Sequence, residues 1–227
     1  MTDQATRADE DNDVCPVPGR TGEDDLRISI HEAGHAIAAR LLDHSLGGAT
    51  VDPGPGYEGR VWGEHHMEAL KDGCGDASHV REVLAPMMPK AGEDRSPVAD
   101  IFVSVYNQVI ELLAGRAAEL LLIDGEPAEP IDDLRQAREL AMLICCSEEA
   151  IDSFIAHCDV AARDLLTPYG DVVMVLSIVL RIKRTLGGPE IDEIVSDVEA
   201  RKAWAAALAR RRGWQAIVEN AANFRPD

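Results

Sequence analysis

The sequence predicts a mainly α protein with a small β-sheet beside its first helix. Apolar and small residues recur at helical spacing from residue 24 to about 43, and again from residue 98 onward. Between residues 46 and 97 glycines and prolines interrupt that rhythm, and two short runs there read as strands. Aromatic residues make up only 4% of the chain, so Leu, Ile, Val and Ala must fill the core, a composition that favours helices.

Residues 1–22 are polar and acidic, with Pro16, Pro18 and Gly19 near their end, and read as a disordered arm preceding one domain over residues 23–227. Asp24 or Asp25 is placed to cap a first helix running to about Asp43. Ala49–Asp52 and Gly59–Glu64 follow as short strands joined by the turn residues Pro53, Gly54, Pro55 and Gly56. Residues 68–97 are polar and mixed, with a short helix expected between Ala77 and Met88. Helices are then expected over Val98–Leu122, Asp132–Cys146 after Pro130, Ser147–Leu166, Asp171–Leu186 and Ile191–Arg211. Gly187, Gly188 and Pro189 separate the last two.

With 227 residues the chain fits one domain with a sizeable core, alone or with tails. A net charge of -19 repels phosphate backbones and argues against nucleic acid as a partner. The five cysteines form no CxxC pair, and no N-terminal apolar segment resembles a signal peptide, so a reducing cytoplasm is expected. The longest strongly apolar stretch, Val172–Leu180, is interrupted by Ser177 and too short to span a membrane.

His31-Glu32-Ala33-Gly34-His35 matches HExxH, and it falls within the first expected helix, the context that motif requires. Residues i and i+4 share a helix face, so both imidazoles can turn one nitrogen to a single ion. Zinc accepts such nitrogens and lowers the pKa of a bound water toward about 7; Glu32 is placed to take its proton. Glycine inside a helix costs about 1 kcal/mol relative to alanine, so Gly34 predicts that another backbone or a substrate comes close there. A catalytic site needs a third protein ligand. The elongated HExxHxxGxxH pattern is excluded, because Ala38 and Leu41 stand where Gly and His would be, so that ligand comes from further along.

Ile28-Ser29-Ile30-His31-Glu32-Ala33-Gly34-His35-Ala36 resembles the active-site helix of the FtsH-type ATP-dependent zinc proteases, which reads like AYHEAGHA. Leu113-Ala114-Gly115-Arg116-Ala117-Ala118-Glu119 resembles their GGRAAEE, and Asp132-Asp133-Leu134-Arg135-Gln136-Ala137 their SNDLxxAT. Thr185-Leu186-Gly187-Gly188-Pro189-Glu190-Ile191 is similar to the family's usual ending, so the resemblance covers roughly residues 25–197 in order. It implies a zincin-like FtsH-type peptidase domain with Zn2+ as cofactor. It also implies Asp133 as third zinc ligand, with Asp132 as fallback, and Glu119 orienting a zinc-bound histidine. The alternatives are a helix-surface carboxylate at 119 and a helix N-terminal charge at 133. The chain departs from the family in lacking a GxxxxGK[ST] phosphate loop and a membrane span. It also carries Pro127-Ala128-Glu129-Pro130-Ile131-Asp132 in place of STGASN, and Leu120 in place of the second glutamate. The expected activity is therefore cleavage of flexible or unfolded polypeptide without an ATPase of its own; a homo-oligomer or a separate ATPase partner fits the resemblance. The alternative is a non-catalytic zinc-binding interaction or regulatory domain of the same fold.

Further signals are weaker in kind. Gly59–Glu64 can be an edge to which an extended peptide adds, or a plain hairpin. His65 or His66 can serve an oxyanion, or sit solvated in a loop. A Cys15 thiolate can close the zinc site, or do nothing specific. Cys145, Cys146 and Cys158 read as core thiols. The basic stretch Arg201, Lys202, Arg210, Arg211 and Arg212, with Trp204 and Trp214, reads as a solvated helix face or as a contact to an acidic partner or neighbouring subunit.

Overall fold

A computed structural model describes residues 19–55, 57–63, 98–127 and 130–222, with a few isolated positions between 86 and 94. Helix α1 spans Gly22–Leu41. Its cap is Thr21, not Asp24 or Asp25. The Thr21 hydroxyl accepts from the Asp24 amide (3.1 Å) while the Asp24 carboxylate accepts from the Thr21 amide (3.0 Å), the reciprocal pairing of a capping box. Asp25 is instead buried, with its carboxylate against the Arg184 guanidinium at 2.5 Å. The fold therefore takes in residues 19–22, which the sequence assigns to the arm: Arg20 donates to the carbonyls of Val51 (2.6 Å) and Glu58.

Ile28, Ile30, Ala33, Ala36, Ile37, Ala38 and Ala39 bury α1 on nearly every side, as expected for a helix at the centre of a core. It packs against α2 (Ala99–Leu122), α4 (Glu148–Leu166) and α5 (Gly170–Lys183). Gly34 meets the close backbone anticipated for it: a Cβ there would fall 2.5 Å from the Ala114 carbonyl oxygen of α2. This close crossing aligns the faces of α1 and α2 that carry the polar centre described below.

Helix α3, Ile131–Ala141, stops short of the expected Cys146 because the chain turns there, the Cys145 amide returning to the Ala141 carbonyl (2.9 Å). Cys145 and Cys146 thus lie in a turn, half-buried and exposed, and only Cys158 joins the core; all three are free thiols. Ser147 caps α4 by accepting from the Ala150 amide (3.2 Å), and a 3-10 turn over Thr167–Tyr169 leads into α5. Joined in this way, Glu148–Lys183 is long and apolar enough to cross a membrane by length and composition, with mean hydropathy 1.7 in its most apolar window. Val172–Leu180 alone did not reveal this, because the turn residues interrupt nothing helical. Val172, Val173, Leu176 and Leu180 face the core, whereas Val175, Ile178 and Ile182 are exposed.

Helix α5 ends at Lys183, not Leu186, because Arg184 takes the left-handed conformation (φ 71°). With ψ at -43° this is a sparsely populated backbone conformation, which costs an L-residue of order 1–3 kcal/mol. It is offset by the Arg184 guanidinium, which pairs with Asp25 (2.5 Å) and Asp52 (2.9 Å). Thr185–Gly187 then form a strand, β3, that the Gly-Gly-Pro sequence disguised as a helix separator. β3 pairs antiparallel with β1 (Gly48–Thr50), which also pairs antiparallel with β2 (Arg60–Trp62), giving the order β2-β1-β3 with Ala49 opposite both Val61 and Leu186. The sheet lies beside α1, as expected, with one more strand than expected. Helix α6 spans Gly188–Ala222, beyond the anticipated Ile191–Arg211. The helix expected within Ala77–Met88, and the roles weighed for Cys15, His65 and His66, lie outside the described residues.

Candidate metal centre

His31 and His35 project from one face of α1, their ring centroids 4.6 Å apart and their planes at 77°. The Nδ1 atoms are engaged first. His31 Nδ1 lies 2.6 Å from Glu119 Oε1, and His35 Nδ1 lies 2.7 Å from the Glu111 carbonyl oxygen. A carbonyl only accepts, so His35 carries a proton on Nδ1, which leaves Nε2 to bind a cation through its lone pair. Both Nε2 atoms converge on Asp133 Oδ2, at 3.1 Å for His31 and 3.7 Å for His35. Asp133 occupies the first turn of α3, where the helix dipole favours a carboxylate. Asp132 turns away: it accepts from Arg135 (2.9 Å) and Gln136 (2.7 Å) on the exposed side, so Asp133 rather than the fallback reaches the histidines.

His31, His35 and Asp133 place their donor atoms within 4.8 Å of one another, and this group could hold a metal ion. The fit has a second support. A Cβ on Gly115 of α2 would fall 2.5 Å from Nε2 of both His31 and His35, so the space before the two nitrogens exists because residue 115 has no side chain. The group offers two nitrogens and one carboxylate oxygen as donors.

The surrounding carboxylates favour positive charge on the imidazoles. Burial disfavours charge on His31, but the Asp133 and Glu119 carboxylates outweigh it and lift its pKa to about 10. Burial likewise opposes ionisation of Asp133, and the hydrogen bonds from His31 and His35 overcome it, holding that carboxyl below the ordinary range. Glu32 is buried, which pushes its carboxyl up against the opposing pull of the two imidazoles.

Glu119 is buried beside His31 and is no surface carboxylate. Arg27, one turn before His31, bridges Glu119 (3.5 Å) to Glu58 (2.9 Å). The Glu111 carboxylate is held by His44. Sequence reasoning missed Arg27, His44, Glu111 and Gly115 as parts of the centre. Gly115 lay within a quoted motif, so a signal existed; Glu111 acts through its main chain and left none. No family model and no curated protein matches the chain.

Proposed function

We propose that the protein is a zinc-dependent endopeptidase acting on flexible or already unfolded polypeptide, with His31, His35 and Asp133 as ligands and Glu32 as general base. The convergence of both Nε2 atoms and Asp133 Oδ2, with the buried Glu32 carboxylate next along the same helix, is the observation that carries this reading. A nitrogen-rich, three-ligand set suits Zn2+ over Mg2+ or Ca2+, which prefer oxygen. Zinc bound there supplies a Lewis acid that polarises the scissile carbonyl and acidifies water.

The remaining chemistry belongs to side chains. Glu32 accepts a proton from the attacking water and returns it to the departing amine, in a site where burial strengthens every charge interaction. Glu119 and the Glu111 carbonyl hold the two imidazoles in one tautomer and orientation. Among the described residues β2 is an edge of the sheet order β2-β1-β3, the kind of element to which an extended peptide can add. That mode of binding requires locally unfolded substrate and supports the substrate class. The resemblance of the three quoted motifs to FtsH-type proteases supports the same reaction.

Elemental analysis of the purified chain should give one zinc per molecule, with cleavage of an unfolded protein that the Glu32→Gln form lowers by about 100- to 10,000-fold. Zinc bound equally in both forms, with cleavage in neither, would replace the enzyme by a zinc-binding interaction or regulatory domain.

A further inference from the structure

Gly59, immediately before β2, is the residue that meets Glu32. A Cβ at position 59 would lie 2.6 Å from Glu32 Oε1, 2.7 Å from its Cγ and 2.9 Å from its Cδ. Side-chain carbons do not approach that closely, so a side chain at 59 and the present place of the Glu32 carboxylate exclude each other. The backbone at Gly59 is not left-handed, so glycine is needed there for space and not for conformation.

Neither wall can easily yield. Glu32 is 6% exposed and has no solvent to retreat into. Glu58, the preceding residue, is gripped twice: Arg20 donates to its carbonyl and Arg27 pairs with its carboxylate at 2.9 Å. Arg20 also reaches the Val51 carbonyl (2.6 Å), and Arg27 also reaches Glu119 (3.5 Å), so the clamp is anchored just past the end of β1 and on α2. The next residue, Arg60, is already paired with Thr50 in the sheet.

We propose that Gly59 is a positioning residue for the general base: its bare Cα, held by the Arg20–Glu58–Arg27 clamp, fixes where the Glu32 carboxylate sits. This rests on Glu32 being the base of the proposed peptidase. A methyl group at 59 displaces that carboxylate and leaves His31, His35 and Asp133, which the contact does not touch, able to hold their ion.

Two measurements on the full chain test this, and they fail separately. In a stability cycle without added metal, Gly59→Ala should lower Tm by about 2–10 °C. In a Glu32→Ala background the same change should cost no more than about 1 °C, because the clash is gone. A Gly59→Ala chain that folds only once Glu32 is truncated counts the same way; equal losses in both backgrounds overturn the proposal. In the zinc-loaded protein, Gly59→Ala should retain one zinc and lose about 10- to 100-fold in kcat, with KM changed less than about threefold. Cleavage at the wild-type kcat overturns the proposal as well. A wild-type chain that binds zinc and cleaves nothing removes the peptidase reading and with it the role of Gly59, while the stability cycle still decides the contact.

Discussion

The candidate metal centre and the far end of α6 use similar residues to opposite effect. In the candidate centre both nitrogens of His31 and Nδ1 of His35 are hydrogen-bonded, His35 Nε2 faces Asp133 at 3.7 Å, and glycines stand where other atoms press in. Lys202 still ties α6 to the body through the Pro168 carbonyl (3.0 Å) and Asp171 (2.8 Å). Beyond it Trp204 and Trp214 are 67% and 68% exposed, Ile217 and Val218 are exposed with them, and a Cβ on Gly213 would meet nothing within 4 Å. The segment is also locally basic, with Arg210, Arg211 and Arg212 in a chain whose net charge is -19. Residue identity therefore predicts little by itself: a glycine is a requirement or an accident according to what surrounds it.

The contrast can be broken by substitutions on either side. Asp133→Asn should have the largest effect, weakening zinc by more than the roughly 10- to 100-fold that loss of an outer hydrogen bond costs, with cleavage lost and helicity kept. Equilibrium dialysis against a chelator, followed by elemental analysis, measures it. Gly115→Ala should come next. The added methyl fills the space before both Nε2 atoms, so zinc stoichiometry should fall well below one per chain while circular dichroism stays the same. Full occupancy in that variant would mean that the ion sits elsewhere.

Smaller and purely structural is Asp25→Ala, which leaves the Arg184 guanidinium with Asp52 as its one remaining carboxylate beside the Val51 carbonyl, in a largely buried setting. A destabilisation of roughly 3 kcal/mol is expected from the urea midpoint. Smallest is Gly213→Ala on the projecting part of α6. It should stabilise by up to about 1 kcal/mol through helix propensity alone, with zinc content and cleavage unchanged. If instead it impaired either, that end of α6 would have a partner the comparison denies it.

What the sequence made legible was local chemistry on helices. The spacing of His31 and His35 needs only 3.6 residues per turn to place both rings on one face, and Gly34 announced a close neighbour that proved to be Ala114. Asp133 and Glu119 were legible only by resemblance, since nothing local tells which distant carboxylate folds back onto a helix. Three features stayed hidden for a common reason: they are tertiary. The pairing of Asp25 with Arg184 made Thr21 the cap, although both aspartates looked suitable. β3 is three residues long and stabilised by β1, not by its own composition. Glu111 orients His35 through a carbonyl that every residue type possesses.

One pairing sets the order in which the molecule can complete its fold. β1 is sandwiched in its sheet between a neighbour 12 residues downstream, Ala49 opposite Val61, and one 137 residues downstream, Ala49 opposite Leu186. Contacts of such long sequence separation form late, because loop closure precedes their reward. A nascent chain that has left the ribosome only as far as residue 130 holds His31, Glu32 and His35 but neither Asp133 nor the strand that pairs with the other side of β1. The topology thus delays closure of the sheet, and with it the final setting of the candidate centre, until most of the chain has been made.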